Sequence, residues 1–227
     1  MGRETVESRR QRAREVMERL ERSMPDVRIE LDYRTPLELL VAVILSAQCT
    51  DKRVNLVTPA LFERFPDAAA YARASVEEVE PFIQSCGLYR AKAKNLVAAA
   101  RALVAEHGGE VPRSRASLET LPGVGHKTAG VVCMHLGGDE AFPVDTHVKR
   151  LAFRLGFTRH TDPDKVEEDM QGLLPSPQWM KGHQLLVWHG RRTCFARAPA
   201  CERCVVAELC PRKGVRLKPS AAPRGPA

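Results

Sequence analysis

The chain has 227 residues, of which 44% are hydrophobic and 28% charged, and a formal net charge of +7. That length and apolar content suffice for one large core or two modest ones, so no disulfide or metal staple is needed to fold it. The positive charge excludes an acidic, self-solvating chain and points to a polyanionic partner such as DNA or RNA, although a merely basic protein satisfies the same number. The longest apolar stretch, Leu39 to Leu45, is too short to cross a bilayer. The charged segment Met1 to Arg14 is unlike a secretion signal.

In chain order, helix signals recur and strand signals do not. Thr35-Pro36-Leu37-Glu38 reads as a capping box with proline at the first helical position, opening the apolar run through Leu45. Ser75-Val76-Glu77-Glu78 repeats the device. Tyr89 to His107 is alanine-rich, with Leu96, Val97, Leu103 and Val104 on an expected apolar face, and Gly108-Gly109 ends it. Asp162-Pro163 opens a further helix that ends before Pro175. Lys213 to Ala227 mixes Pro, Gly, Ala and basic residues, a composition that predicts disorder. The fold class expected is all-α, built of short helices with no solenoid repeat.

Between Ser117 and Gly137 the chain reads SLETLPGVGHKTAGVVCMHLG. A short helix ends at Leu121-Pro122, Gly123-Val124-Gly125 forms a tight hairpin, and a second helix starts near His126. Glycines let the backbone turn tightly and approach a ligand. The N–H groups opening the second helix then point outward at the positive end of its dipole, which suits one DNA phosphate. A plain helical corner has the same local pattern.

Cys194, Cys201, Cys204 and Cys210 form a C-x6-C-x2-C-x5-C run. Clustered thiols in a chain expected to stay in a reducing compartment read as ligands of a soft or borderline metal before they read as disulfides. Zinc usually takes two closely spaced cysteine pairs, and only Cys201 and Cys204 are so spaced here; an iron-sulfur cubane takes four cysteines on a longer wrap of chain. Spacing leaves both candidates open. Cys49, Cys86 and Cys133 lie in apolar surroundings and read as buried small residues, and the histidines show no metal-ligand spacing.

LPGVGHKTAG, then PVDTH at Pro143 to His147, then the cysteine run, resembles the endonuclease III family of helix-hairpin-helix DNA glycosylases. LLVAVILSAQCTD at Leu39 to Asp51, GLYRAKA at Gly87 to Ala93 and HGRRTC at His189 to Cys194 extend the resemblance over most of the chain from Leu31 to Cys210. The resemblance implies two helical lobes flanking a DNA groove: a six-helix lobe at 29–139 carrying the hairpin, and an iron-sulfur lobe of 1–28 and 140–227. It implies a 4Fe-4S cluster on the four cysteines. The implied activity is a bifunctional glycosylase and abasic-site lyase that removes oxidised pyrimidines from duplex DNA. The partner is then double-stranded DNA with damaged bases or abasic sites, met by a monomer expected in the cytoplasm and, if the source is bacterial, associated with the nucleoid.

By the same resemblance Lys127 is the nucleophile and Asp145 the catalytic carboxylate. Read alone, Lys127 at a DNA-facing hairpin is a phosphate contact, and Asp145 before Thr146 to Leu155 is a helix N-cap. An amine can displace a base at the sugar C1′ and leave an imine that acidifies C2′ for β-elimination. It attacks only when neutral, a form that burial, the helix N-terminus and nearby cations favour. Gln48 and Leu88 match the residues that fill the hole left by an extruded nucleotide; by themselves they read as a helix-end polar residue and a core residue. Gly123, Val124, Gly125 and His126 of the hairpin and Arg197 of the cysteine loop complete the implied DNA contacts.

Three departures from the family pattern stand out. His126 replaces the usual arginine, Gly130 the usual asparagine, and the loop Phe195 to Ala200 carries only Arg197 where relatives place several basic residues. Two rivals remain at this level: a monofunctional glycosylase using Asp145 and water, and a non-catalytic iron-sulfur DNA-binding protein.

Overall fold

The computed structural model describes residues 4–216, and among them every regular element is helical. In chain order these are α1 (Val6–Ser23), α2 (Pro36–Ser46), α3 (Asp51–Arg64), α4 (Ala68–Arg73), α5 (Val76–Ile83) and α6 (Tyr89–His107). They continue with α7 (Arg115–Glu119), α8 (His126–Leu136), α9 (Thr146–Arg154), α10 (Pro163–Leu173) and α11 (Trp179–Arg192). Three short 3-10 turns, Ser176–Gln178, Cys201–Arg203 and Ala207–Leu209, complete the set. The chain divides into two compact units, Arg28–Pro143 and the discontinuous pair Met1–Val27 with Val144–Ala227.

In the unit Arg28–Pro143, α2 is central because it is apolar on every side. Leu39 through Leu45 are all buried, and α3, α6 and α8 pack around them. A helix without a polar stripe is stable only when covered all round. The Thr35 hydroxyl accepts from the Glu38 N–H at 3.1 Å, as its motif predicts. The return half of the box differs: Glu38 accepts from the Arg34 N–H at 2.6 Å and pairs with the Arg34 guanidinium. At Ser75 both halves of the capping box form. α3 went unrecognised by pattern, since Pro59 sits within it and removes a helical donor.

Helix α6 begins and ends where its sequence predicts, and the Gly109 N–H closes it on Leu103 O at 2.9 Å. Val104 departs from its expected face and is 43% exposed, because nothing beyond Leu103 on this helix is buried. Conversely Lys92, on the same helix, is buried and donates from Nζ to Leu45 O at 2.8 Å. This bond satisfies the carbonyl in the last turn of α2 that the helix itself leaves open.

The second unit packs α9 on α11, and α1 on α10 and α11. Arg12 of α1 is its main polar tie. Its guanidinium pairs with Glu4 at 2.8 Å, donates to Leu155 O at 2.6 Å and to Leu209 O at 3.1 Å, and lies over the Phe157 ring. Arg12 also holds the Glu4 carboxyl below the usual carboxylate range. Lys213–Arg216 departs from the predicted disorder: the Lys213 N–H donates to Arg154 O at 3.2 Å and Gly214 lies against Phe153. The backbone there finds a partner in the last turn of α9. The remaining predicted tail, 217–227, lies outside the described residues.

If coverage of α2 organises its unit, Leu45→Ala should destabilise the protein by about 2–5 kcal/mol. Leu56→Ala, at a side chain 63% exposed, should shift stability by less than about 0.5 kcal/mol. Denaturant unfolding of the two variants checks the difference.

Candidate nucleic-acid interface and metal centre

The hairpin joining α7 to α8 is held by short local bonds and one buried anchor. The Val124 N–H donates to Leu121 O at 3.0 Å, and the Val124 side chain is buried, so only its backbone is available at the surface. Gly123 has φ +79°, and a Cβ there would meet Asn95 Cβ at 2.6 Å. Both backbone and packing therefore demand glycine. Gly125 is different: its φ is −87° and an added Cβ would enter open space. The sequence assigns both glycines to the turn; the fold requires only Gly123, and Gly125 instead keeps the approach to α8 clear. No side chain caps α8, and its first turn carries no acid. An uncapped N-terminus presents donors and positive dipole to an anion.

His126 and Lys127 open this helix, and both are exposed. His126 Nδ1 lies 2.7 Å from Glu119 Oε1, which ties the hairpin across to α7. The burial expected to favour a neutral Lys127 amine is not supplied by the chain's own packing.

Gln48 and Leu88 lie on two loops that the fold brings together. Both adopt left-handed backbone, with φ of 53° and 58°, which non-glycine residues rarely do. The loops touch: a Cβ on Gly87 would sit 3.3 Å from Gln48 O. Leu88 is 61% exposed, not the core residue its bare pattern suggests. An exposed leucine on strained backbone makes no packing contribution to offset that strain.

Asp145 belongs to the other unit and caps α9, its Oδ1 accepting from the Val148 N–H at 2.7 Å. One turn on, Arg150 is half-buried, and burial pushes its pKa down. It donates to Cys194 O at 3.2 Å and Gly190 O at 3.1 Å, while the Asp145 charge opposes that burial penalty. Arg154, a further turn along, donates to Cys194 Sγ at 3.3 Å, Phe195 O at 2.7 Å and Ala196 O at 2.9 Å. Sequence reasoning singled out neither arginine. Their i,i+4 spacing along α9, on the flank between its exposed and buried faces, is the signal that marks them.

All four cysteines line one cavity of about 30 Å³. Among the described residues no three ligating side chains gather as the ligands of a single metal ion would. Four thiols lining one cavity can serve as the ligands of a multi-atom cluster. Burial pushes the Cys204 and Cys210 thiols up, and the neighbouring thiols push them further. Four crowded, part-buried thiolates would need cationic metal among them. His189 lies behind, with Nε2 3.5 Å from Cys204 Sγ; burial takes its pKa down to about 4, so it stays a neutral partner. Arg197 is exposed beside Ala198, whose φ is 49°.

Residues 41–176 match the HhH-GPD superfamily of base excision DNA repair proteins, and residues 194–210 match the iron-sulfur binding domain of endonuclease III. The chain is 51% identical to endonuclease III of Synechocystis sp. over 90% of its length and 94% of the relative's. It is 41% identical to that of Escherichia coli K12, over 88% and 94%. The chain belongs to the endonuclease III family. It is a base excision repair enzyme, a DNA glycosylase with abasic-site lyase activity, and it carries a 4Fe-4S cluster. It superposes with TM-score 0.85 and 42% identity on a trapped endonuclease III–DNA covalent intermediate, over 89% of this chain and 96% of that one. A thermostable thymine-DNA glycosylase, 23% identical with TM-score 0.81, shares the fold.

The cap at Asp145 yields a stability test that chemistry does not confound. Asn offers the same acceptor oxygen, so Asp145→Asn should leave the unfolding midpoint nearly unchanged, whereas Asp145→Ala should lower stability by about 1 kcal/mol.

Proposed function

We propose that this endonuclease III family member removes oxidised pyrimidines from duplex DNA and cleaves the resulting abasic strand through Lys127. The observation that carries the reading is an exposed lysine on the first turn of an uncapped helix behind a glycine hairpin. A phosphate at that N-terminus places the neighbouring sugar beside the amine. In this reading the partner is double-stranded DNA bearing damaged bases or abasic sites, and the enzyme acts on it as a cytoplasmic, nucleoid-associated monomer.

The lone pair of Lys127 Nζ attacks C1′ while the glycosidic bond breaks toward the base, which leaves with a proton. Ring opening gives an imine between Nζ and C1′. The imine acidifies C2′; loss of that proton expels the 3′ phosphate by β-elimination, and water then hydrolyses the imine and frees the lysine. Asp145, held by its own cap bond, provides a carboxylate for the positive charge developing on the sugar and for the proton in transit. Gln48 and Leu88 fill the space left by the extruded nucleotide. Their adjacent loops and strained, exposed backbone support that assignment. Gly123, Val124 and Gly125 hold the phosphate through backbone, with His126 beside them, and Arg197 contacts the DNA backbone from the cysteine loop. Cys194, Cys201, Cys204 and Cys210 are the cluster ligands, and the cluster, when bound, crosslinks the segment that displays Arg197. The trapped covalent endonuclease III–DNA intermediate, a property of that relative, favours the lysine route over water.

Borohydride should trap a covalent protein–DNA adduct on a lesion or abasic duplex, and Lys127→Gln should abolish both adduct and strand scission. Base release without any trapped adduct would establish the water route instead. Asp145→Asn should slow base release strongly while lesion affinity stays close to wild type, since the lost charge acts mainly in the transition state.

The cysteine loop gives a quantitative test of where DNA runs. Each phosphate neutralised contributes about 0.9 to the slope of log K against log salt. Introducing Lys at Ala198 and Ala200 should steepen that slope by up to about two such increments, and tighten lesion and undamaged DNA alike. A slope unchanged from wild type would remove this loop from the DNA path.

A further inference from the structure

Two cysteines that the repair chemistry does not use sit on the two loops just described. Cys49 follows Gln48 past the end of α2, where its N–H donates to Ser46 O at 3.1 Å; Cys86 follows α5, where its N–H donates to Ile83 O at 2.8 Å. The two loops touch where Gly87, next to Cys86, lies against the backbone O of Gln48, next to Cys49, and the two thiols are near enough to interact. Cys86 is fully buried, while Cys49 is half-buried and open to a small reagent. Near both lies Lys92, buried and anchored on Leu45 O. Two thiols on touching loops, one reachable and one enclosed, with a fixed cation nearby, form the arrangement of an attacking and a resolving cysteine.

We propose that Cys49 and Cys86 are a reversible dithiol–disulfide pair that clamps the Gln48 loop to the Leu88 loop. The oxidant is a low-molecular-mass disulfide such as glutathione disulfide. The Cys49 thiolate attacks one of its sulfurs; the Cys49 mixed disulfide forms and one glutathione leaves. The Cys86 thiolate then attacks the Cys49 sulfur, the protein disulfide forms and the second glutathione leaves. Two protein thiols are oxidised, one small disulfide is reduced, and the two protons end on the two glutathiones. Burial pushes the Cys86 thiol up to about 11, which makes it a poor first attacker and leaves that step to Cys49.

Covalent closure fixes the sulfurs at about 2.05 Å and imposes a fixed torsion, so both loops shift by on the order of an ångström. This consequence rests on the proposed insertion of Gln48 and Leu88 into DNA; the pair itself does not. A displacement of that size can cost up to about a hundredfold in rate, and strand scission at an abasic duplex should fall about tenfold on oxidation.

The test uses the full-length protein with its cluster intact, judged by visible absorption, equilibrated in glutathione buffers of increasing disulfide content. Free thiols are then alkylated and the protein digested with trypsin. The expected product joins peptide 35–52 to peptide 74–90, vanishes with dithiothreitol, and is absent from Cys49→Ser and Cys86→Ala. Scission should fall as the joined peptide accumulates, recover on reduction, and stay insensitive to glutathione disulfide in both variants. Alkylation of both cysteines at every buffer composition, or a stable glutathione adduct on Cys49 alone, would overturn the pair; this readout needs no variant to fold. Full formation of the joined peptide with unchanged scission would overturn the clamp. Absence of scission in the reduced wild type would tell instead against the proposed lyase reaction, and the peptide map would still decide the pair.

Discussion

Seven consecutive apolar residues, Leu39 to Leu45, cannot be satisfied by a surface helix, and much of the unit Arg28–Pro143 follows from covering them. α8 is one of the helices that cover α2, so the hairpin opening α8 is set on a rigid base. α6 is another, and its buried Lys92 reaches the carbonyl of Leu45 just before the chain leaves α2. A buried amine with a fixed acceptor is costly to displace. The loop carrying Gln48 therefore starts from a defined point, and Gly87 and Leu88, immediately before α6, start from the same helix pair.

Where this unit carries backbone strain, it carries it at exposed positions. Gln48 and Leu88 hold left-handed conformations beside each other, while Gly123 takes the corresponding region without strain. The first two positions contribute little burial, so packing gives no reason for them. The same economy applies to α8. Most helices here are capped by a side chain, Thr5, Thr35, Thr50, Asp67, Ser75, Ser114, Asp145 and Asp162 among them, yet α8 is left open. α6 and α11 also lack a side-chain cap, but α8 is the one of the three that opens directly behind a glycine hairpin, an arrangement that suits an anion.

In the other unit the organising groups are guanidiniums. Arg12, Arg150 and Arg154 each collect backbone carbonyls from the cysteine-bearing segment, which has almost no regular structure of its own. A segment of this kind exposes carbonyls that a helix or sheet would otherwise satisfy, and a planar five-donor cation is the side chain best shaped to gather them. Arg150 adds an electrostatic link from Asp145 to the carbonyl of Cys194. The carboxylate, the cap and the first cysteine are thus parts of one polar network. The chain's net charge of +7 includes these three internal cations, so it overstates the charge available to DNA.

Local chemistry was legible without coordinates. The limits of α6, the caps at Thr35, Ser75 and Asp162, the cap at Asp145, the glycine hairpin and the four-cysteine run each depend on residues within a few positions of one another, and short-range rules capture them. Two readings failed for the complementary reason: Leu88 reads as core and Val104 as part of a buried face, but exposure depends on which helices end where. Lys92 gave no sign that it is buried, because its partner is a carbonyl 47 positions away. Arg150 and Arg154 acquire their roles from Cys194, some forty positions later. The contact between Cys49 and Cys86 has no sequence signature at all. Sequence by itself determined the all-helical class, those helices and caps that carry a local signature, and the cysteines as a ligand set, since these follow from neighbouring residues. Only the tertiary structure decided which charges are enclosed, which loops meet and which backbone is strained, because each of those is the outcome of packing segments that are distant along the chain.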